Sequence, residues 1–136
     1  GPLRESLEKT IKEKELENVI NLPGFSKNII EDIKKAGIYI SSSDFEGISN
    51  AMLEAMAMGI PTVCTDCPIG GAKMTIKNNE NGVLVPVGDE DALYRAMDKV
   101  ANDSTFAKEI SENAIKIREE LSIDKILDKW IDVMER

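Results

Sequence analysis

The stretch Ile38-Tyr39-Ile40-Ser41-Ser42-Ser43-Asp44-Phe45-Glu46-Gly47-Ile48-Ser49-Asn50-Ala51-Met52-Leu53-Glu54-Ala55-Met56-Ala57-Met58-Gly59-Ile60-Pro61-Thr62-Val63-Cys64-Thr65 decides the fold. It opens on an apolar, β-prone run, Ile38-Tyr39-Ile40, that reads as a buried strand. A polar loop follows, Ser41 to Gly47. Residues Ile48 to Met58 have helix-forming composition, with Met52 and Met56 one turn apart, and Gly59 ends that helix. Pro61 to Thr65 is the next strand. Parallel strands need a crossover connection, so strand, helix and strand in this order imply parallel pairing. The expected class is α/β, a doubly wound and mostly parallel sheet.

The same alternation extends outward. Leu3, Leu7 and Ile11 recur every four residues and predict a first amphipathic helix. Val19-Ile20-Asn21-Leu22 reads as a short strand stopped by Pro23-Gly24. Ser26 can cap a helix carrying Ile29, Ile30 and Ile33. Downstream, Pro68 to Gly71 leads to a short helix near Ala72 to Lys77, and Asn81-Gly82 turns the chain into a strand from Val83 to Val87. Three helices close the sequence, marked by Leu93, Ala96, Met97 and Val100, by Phe106, Ile110, Ala114 and Ile117, and by Ile123, Ile126, Leu127, Trp130, Ile131 and Met134 behind a Ser122 cap. The expectation is one domain over residues 1–136, with about four strands and C-terminal helices.

Composition narrows the function. The chain has 136 residues and a net charge of −8, from 25 acids against 17 bases. A nucleic-acid binder needs basic density to neutralise phosphates, so nucleic acid is disfavoured as a partner. Histidine is absent, which removes His triads and His-ligated metals from this chain. No apolar run reaches the ~18 residues that span a bilayer. Two cysteines, Cys64 and Cys67, make no disulfide framework, so a reducing cytoplasm is expected.

In doubly wound sheets ligands bind at the carboxyl ends of strands. The loop from Ser41 to Ile48 lies at such an end, directly before a helix. Gly47 lets a ligand approach the backbone without a side chain in the way. The amides of Gly47, Ile48 and Ser49 would point out of the helix start and, with the helix dipole, form an anion site suited to a diphosphate. Glu46 stands just before the helix and Glu54 about two turns inside it. Eight residues at ~1.5 Å each span ~12 Å, similar to the distance from ribose to sugar in an extended nucleotide sugar. Carboxylates would repel phosphates but would accept hydrogen bonds from hydroxyls on either side. The alternative is that Glu46 is a solvated loop acid and Glu54 a surface helix acid.

The run Ser43 to Pro61 resembles the E-x7-E signature of retaining glycosyltransferases of GT-B architecture, in particular glycosyltransferase family 4. Glu46, Gly47, Glu54, Ala55, Met56, Ala57, Gly59 and Pro61 fall into that pattern in order. Asp66-Cys67-Pro68-Ile69-Gly70-Gly71 is similar to a loop of capsule and exopolysaccharide members, and Asn81 to Val85, Gly1 to Glu5 and Lys129-Trp130 extend the likeness along the chain. The resemblance implies a donor-binding domain in which Glu54 bonds ribose hydroxyls and Glu46, also the catalytic candidate, bonds the transferred sugar. The amides from Gly47 to Ser49 would hold the diphosphate, and leaving-group charge would be met electrostatically. It implies no metal and no cofactor, the nucleotide sugar being a substrate. UDP-sugar is expected over GDP-mannose. The Leu22-Pro23-Gly24 loop could border the base.

The sequence also departs from the family pattern. The strand resembling "vGRl", the helix preceded by Lys, and the acceptor domain of the family are not matched here. The expectation is an incomplete donor half, inactive alone, whose sugar or lipid-linked acceptor would come through the N-terminal domain. Met74 stands where the family often has Glu, and Gly37 where it has Asp. With the first strands of a 3-2-1-4-5-6 order unmatched, Ile38 to Ser41 would be an edge and could pair copies into a homodimer. The parent is expected in the cytoplasm, with a membrane-peripheral placement open. Gly1-Pro2 is either a native start or a protease scar.

Three weaker signals have plainer readings. Cys64-Thr65-Asp66-Cys67 is a C-x-x-C, read as a strand cysteine plus a loop cysteine rather than a redox pair. Asp89-Glu90-Asp91 opens a helix, where acids cap and complement the dipole. Met52, Met56, Met58 and Met97 read as core filler, and the last helix as packing on the sheet rather than lying in a membrane surface. The rival function is a non-enzymatic interaction module that keeps the motif as fold support.

Overall fold

A computed structural model describes residues 2–136; Gly1, and with it half of the question about the Gly1-Pro2 start, lies outside the described residues. The elements run α1 (Arg4–Glu13), α2 (Ile29–Ile33), β1 (Tyr39–Ser41), α3 (Asn50–Ala57), β2 (Thr62–Thr65), α4 (Gly71–Thr75), β3 (Val83–Val85), α5 (Glu90–Asn102), α6 (Ser104–Ala114), α7 (Ile117–Glu120) and α8 (Ile123–Met134). The three strands form one parallel sheet in the order β1-β2-β3, with Tyr39 opposite Thr62 and Val63 opposite Val83. The expected α/β class with a parallel sheet is therefore observed.

Strand pleating explains the two layers of core. Every residue of the central strand β2 is buried. Side chains alternate across a sheet. Val63 accordingly packs with Val83, Val85, Ala96, Val100, Phe106 and Ile110, the face covered by α5 and α6. Cys64 packs with Met52, Met56, Ala72, Ile76, Ala114 and Ile117 on the α3 and α4 face. Met52 and Met56 are core side chains as read from their spacing, whereas Met58 and Met97 are half-buried.

Several expectations are corrected. The sheet among the described residues has three strands, not about four, because Val19 to Leu22 is irregular. The amides of Val19 and Ile20 both donate to the Leu16 carbonyl at 2.9 Å, and Val19 is 78% exposed. A strand exists only beside a partner, and among the described residues none pairs with this segment. β3 stops at Val85, before Pro86. Pro has no N–H, so it cannot extend a ladder. The helix expected from Ile48 begins at Asn50, and Ser49 is its cap. The α2 cap is Asn28; Ser26 instead accepts from the Asn28 amide at 3.1 Å. The run from Phe106 to Ile117 is broken after Ala114 into α6 and α7. Helix α8 buries none of its residues, so it does not pack on the sheet. None of the described helices is long and apolar enough to cross a membrane.

Candidate functional site

The site is built where β1 and β2 release their chains. Ser49 is extended at φ −76° and ψ 119°, and its hydroxyl accepts from the Met52 amide at 3.4 Å. That cap satisfies the third amide of α3 and leaves the first two, Asn50 and Ala51, without an acceptor among the described residues. Among the described residues, the amides of Gly47, Ile48, Ser49, Asn50 and Ala51 donate to no backbone or side-chain acceptor. The open donors thus include the expected run from Gly47 to Ser49, and the helix start itself lies two residues later than its sequence suggested.

Glu46, Gly47 and Ser49 come together. They line one small cavity with Ser41, Met52, Cys64, Thr65, Cys67 and Ala72. A Cβ added at Gly47 would meet nothing within 4 Å, so the space beside this backbone is open. Ile48 is exposed at the rim. Glu54 lies apart from that cavity. It follows Asn50 by one turn on the solvent stripe of α3, both residues being exposed. The opposite stripe, Met52, Ala55 and Met56, is buried and fixes the helix on the sheet.

The β2–α4 segment, residues 65–71, marked in the sequence by its likeness to a family loop and by the C-x-x-C but not by any role toward the Glu46 loop, touches this loop three times. The Thr65 hydroxyl donates to the Ser43 carbonyl at 2.5 Å, and the Cys67 thiol points to the Glu46 carbonyl at 3.8 Å. Gly71 lies against the Gly47–Ile48 peptide, where an added Cβ would overlap the Gly47 carbonyl and stand 2.6 Å from the Ile48 nitrogen. The Gly70-Gly71 pair was the available signal, since paired glycines mark close backbone approach. A larger crevice of about 350 Å³ opens across the carboxyl ends of the strands, lined by Ser42, Asp44, Thr65, Pro86, Asp89 and Leu93 among others. Thr65 lines both.

The side signals take their plainer form. Asp89 Oδ1 accepts from the Ala92 amide at 2.8 Å and caps α5. Cys64 and Cys67 are free and buried. Burial pushes the Cys64 thiol up to about 12, with the nearby Cys67 adding to the effect and a Ser41 backbone hydrogen bond opposing it. A thiol so held is protonated near neutrality and is no nucleophile. Lys73, within the short helix α4, pairs with Asp66 at 2.9 Å.

Comparison with known proteins gives the family. Residues 1–117 match the model of glycosyl transferases group 1. The chain is 29% identical over 126 residues to the poly(glycerol-phosphate) alpha-glucosyltransferase of Bacillus subtilis, covering 93% of this chain and 19% of that protein. It is 32% identical over 114 residues to a Campylobacter jejuni 4-alpha-N-acetylgalactosaminyltransferase acting on a diphospho-undecaprenol, covering 84% of this chain and 31% of that one. Among solved structures it is similar to a mutant of S. aureus TarM in complex with fondaparinux, alpha-GlcNAc-glycerol and UDP. There the TM-score is 0.87 at 25% identity, over 98% of this chain and 27% of TarM. The chain therefore spans less than a third of the length of each of these relatives. With most of its length inside the matched family model, the chain belongs to the glycosyl transferases group 1 family.

Proposed function

We propose that this chain is the donor-binding part of a retaining, family 4 type glycosyltransferase of polysaccharide or glycoconjugate assembly, and that its donor is a UDP-sugar. The observation that carries the reading is the run of open amides from Gly47 to Ala51, flanked by exposed carboxylates at Glu46 and Glu54. Amide hydrogens at a helix start suit a diphosphate, and the carboxylates on either side suit hydroxyls. Glu54 would accept from ribose hydroxyls and Glu46 from the sugar that is transferred. The Leu22-Pro23-Gly24 loop would border the base. UDP is supported by the TarM complex, which holds that nucleotide.

In this reading, charge developing on the leaving diphosphate is met by fixed amide dipoles, which need no reorganisation as it forms. The reaction would then need no metal or other cofactor. The acceptor, a sugar or lipid-linked sugar, would be held by a domain outside these residues, and the chain alone would bind donor without turnover. The assembled enzyme would work in the cytoplasm, at or near a membrane surface. In isolation the open edge of β1 could pair two copies, which sizing chromatography reads directly.

The test is nucleotide titration of the chain followed by amide NMR, with UDP, GDP and UDP-sugars. Wild type is expected to bind UDP and UDP-sugars with shifts centred on Gly47 to Ala51, and Glu54→Gln to lose ~1–3 kcal/mol of binding. Identical spectra with and without nucleotide, in wild type and variant alike, would instead favour an interaction module that keeps the motif for its fold.

A further inference from the structure

We propose that the segment Thr65 to Gly71 is a positioning strap that aims the amides of the Glu46 loop outward; the proposal rests on the donor-site reading above. Three of its contacts are with backbone groups of one loop. Thr65 donates to the Ser43 carbonyl, Cys67 points its thiol to the Glu46 carbonyl, and Gly71 packs on the Gly47–Ile48 peptide. A trans peptide holds its C=O and N–H on opposite sides. A carbonyl drawn toward the strap therefore turns the next amide away from it. The Ser43 contact turns the Asp44 N–H outward, and the Glu46 contact does the same for Gly47. The strap thus sets the direction of the donors through their backbone. Thr65, Cys67 and Gly71 are positioning residues.

The strap is well placed to be rigid. Thr65 is the last residue of the central strand and is 5% exposed; Cys67 and Gly71 are buried. Gly71 has no room for a side chain, because the approach is backbone to backbone. Any larger residue must push the Gly47–Ile48 peptide away, and with it the donors beside Glu46.

The experiment uses the whole 136-residue chain and compares Thr65→Val, Thr65→Ser and Gly71→Ala with wild type. UDP affinity is measured by calorimetry at a temperature where circular dichroism shows each variant folded. The Gly47 amide shift and its hydrogen exchange are followed by NMR. Displacement of binding groups by about 1 Å can cost ~100-fold, so the loss expected for Thr65→Val is ~tenfold or more, with the Gly47 resonance moved. Thr65→Ser, which keeps the hydroxyl, is expected to bind UDP as wild type. A merely structural role would lower melting temperature and leave the affinity of the folded protein unchanged. The proposal is overturned if Thr65→Val keeps both wild-type affinity and an unshifted Gly47 amide. Should Gly71→Ala fail to fold, the Thr65 pair still decides. Should wild type bind no UDP, the donor reading fails, and the Gly47 shift and exchange in the Thr65 pair still decide the strap.

Discussion

The Ser111 hydroxyl donates to the Gly59 carbonyl, joining α6 to the turn that ends α3. The turn is tight on both sides. Gly59 has φ +74°, and a Cβ there would stand 2.9 Å from Ile115 Cδ1. The Arg118 guanidinium reaches the neighbouring Ala57 carbonyl. The C-terminal end of the proposed donor helix is thus held by α6 and α7. Removing the Ser111 hydroxyl with Ser111→Ala is expected to cost ~1 kcal/mol, the net worth of one hydrogen bond. Gly59→Ala adds the ~1–2 kcal/mol of a left-handed L-residue and the collision with Ile115, so it should be the more damaging change. Urea midpoints of the two variants check the order. Equal losses would mean the turn relaxes freely.

Asp103 serves two helices. Its amide donates to Lys99 at the end of α5, and its carboxylate accepts from the Phe106 amide at 2.9 Å to start α6. One residue thereby sets the sharp reversal that puts Val100 and Phe106 on the same face of the sheet. Asp103→Ala is expected to lose ~1 kcal/mol in a thermal melt, while Asp103→Asn, an equally good cap, should lose little. A loss common to both variants would assign the effect to charge rather than to the hydrogen bond.

Local signals explain what was legible. β1, β2 and β3 each show an apolar β-prone run, and each finds a neighbour, so the reading and the fold agree. Val19 to Leu22 carries the same signal followed by Pro23-Gly24, yet a strand is a relation to a partner and a sequence window contains only one member of it. The start of α3 slipped by two residues because Ile48 is apolar and looks helical, while the side chain that closes the helix belongs to Ser49. Glu46 and Glu54 stand out by their spacing and the flanking motif; the structure brings Glu46 to the cavity with Gly47 and Ser49 and leaves Glu54 on the exposed stripe of α3. The strap was not, because Gly71 meets Gly47 through backbone alone and leaves no periodic trace in either segment.

Cys64 makes the stability of the fold sensitive to alkaline pH. Its thiol is raised from an ordinary 9.0 to about 12 by burial. In the unfolded chain it ionises near 9.0, so above that pH the unfolded state has lost a proton that the folded state keeps. Unfolding then releases a proton, and stability falls as pH rises from about 9 toward about 12, by at most ~1.4 kcal/mol per pH unit. Below pH 9 the contribution is complete and flat. Urea melts of wild type and Cys64→Ala between pH 8 and pH 11 are expected to diverge, the wild type declining more steeply. Parallel curves would show that water reaches the thiolate in the folded protein. At pH 8, iodoacetamide should label Cys64 only after denaturation.

The two apolar stripes at the carboxyl end differ in what they hold. Ile110 is 1% exposed and sits among Val63, Val83 and Val100, whereas Trp130 of α8 is 61% exposed and no α8 residue is buried. The sequence alone gives both helices a similar amphipathic pattern, so mutation separates packing from pattern. Ile110→Ala removes most of a buried side chain from a core with little room to collapse, and ~2–5 kcal/mol of stability should go with it. Trp130→Ala removes a larger side chain from solvent contact and is expected to change stability by less than ~0.5 kcal/mol. Trp130 is the single tryptophan, so its fluorescence gives a second readout on wild type: red-shifted emission and ready acrylamide quenching before any unfolding. A blue-shifted, protected tryptophan together with a costly Trp130→Ala would mean that α8 finds a surface to cover within this chain or a second copy of it.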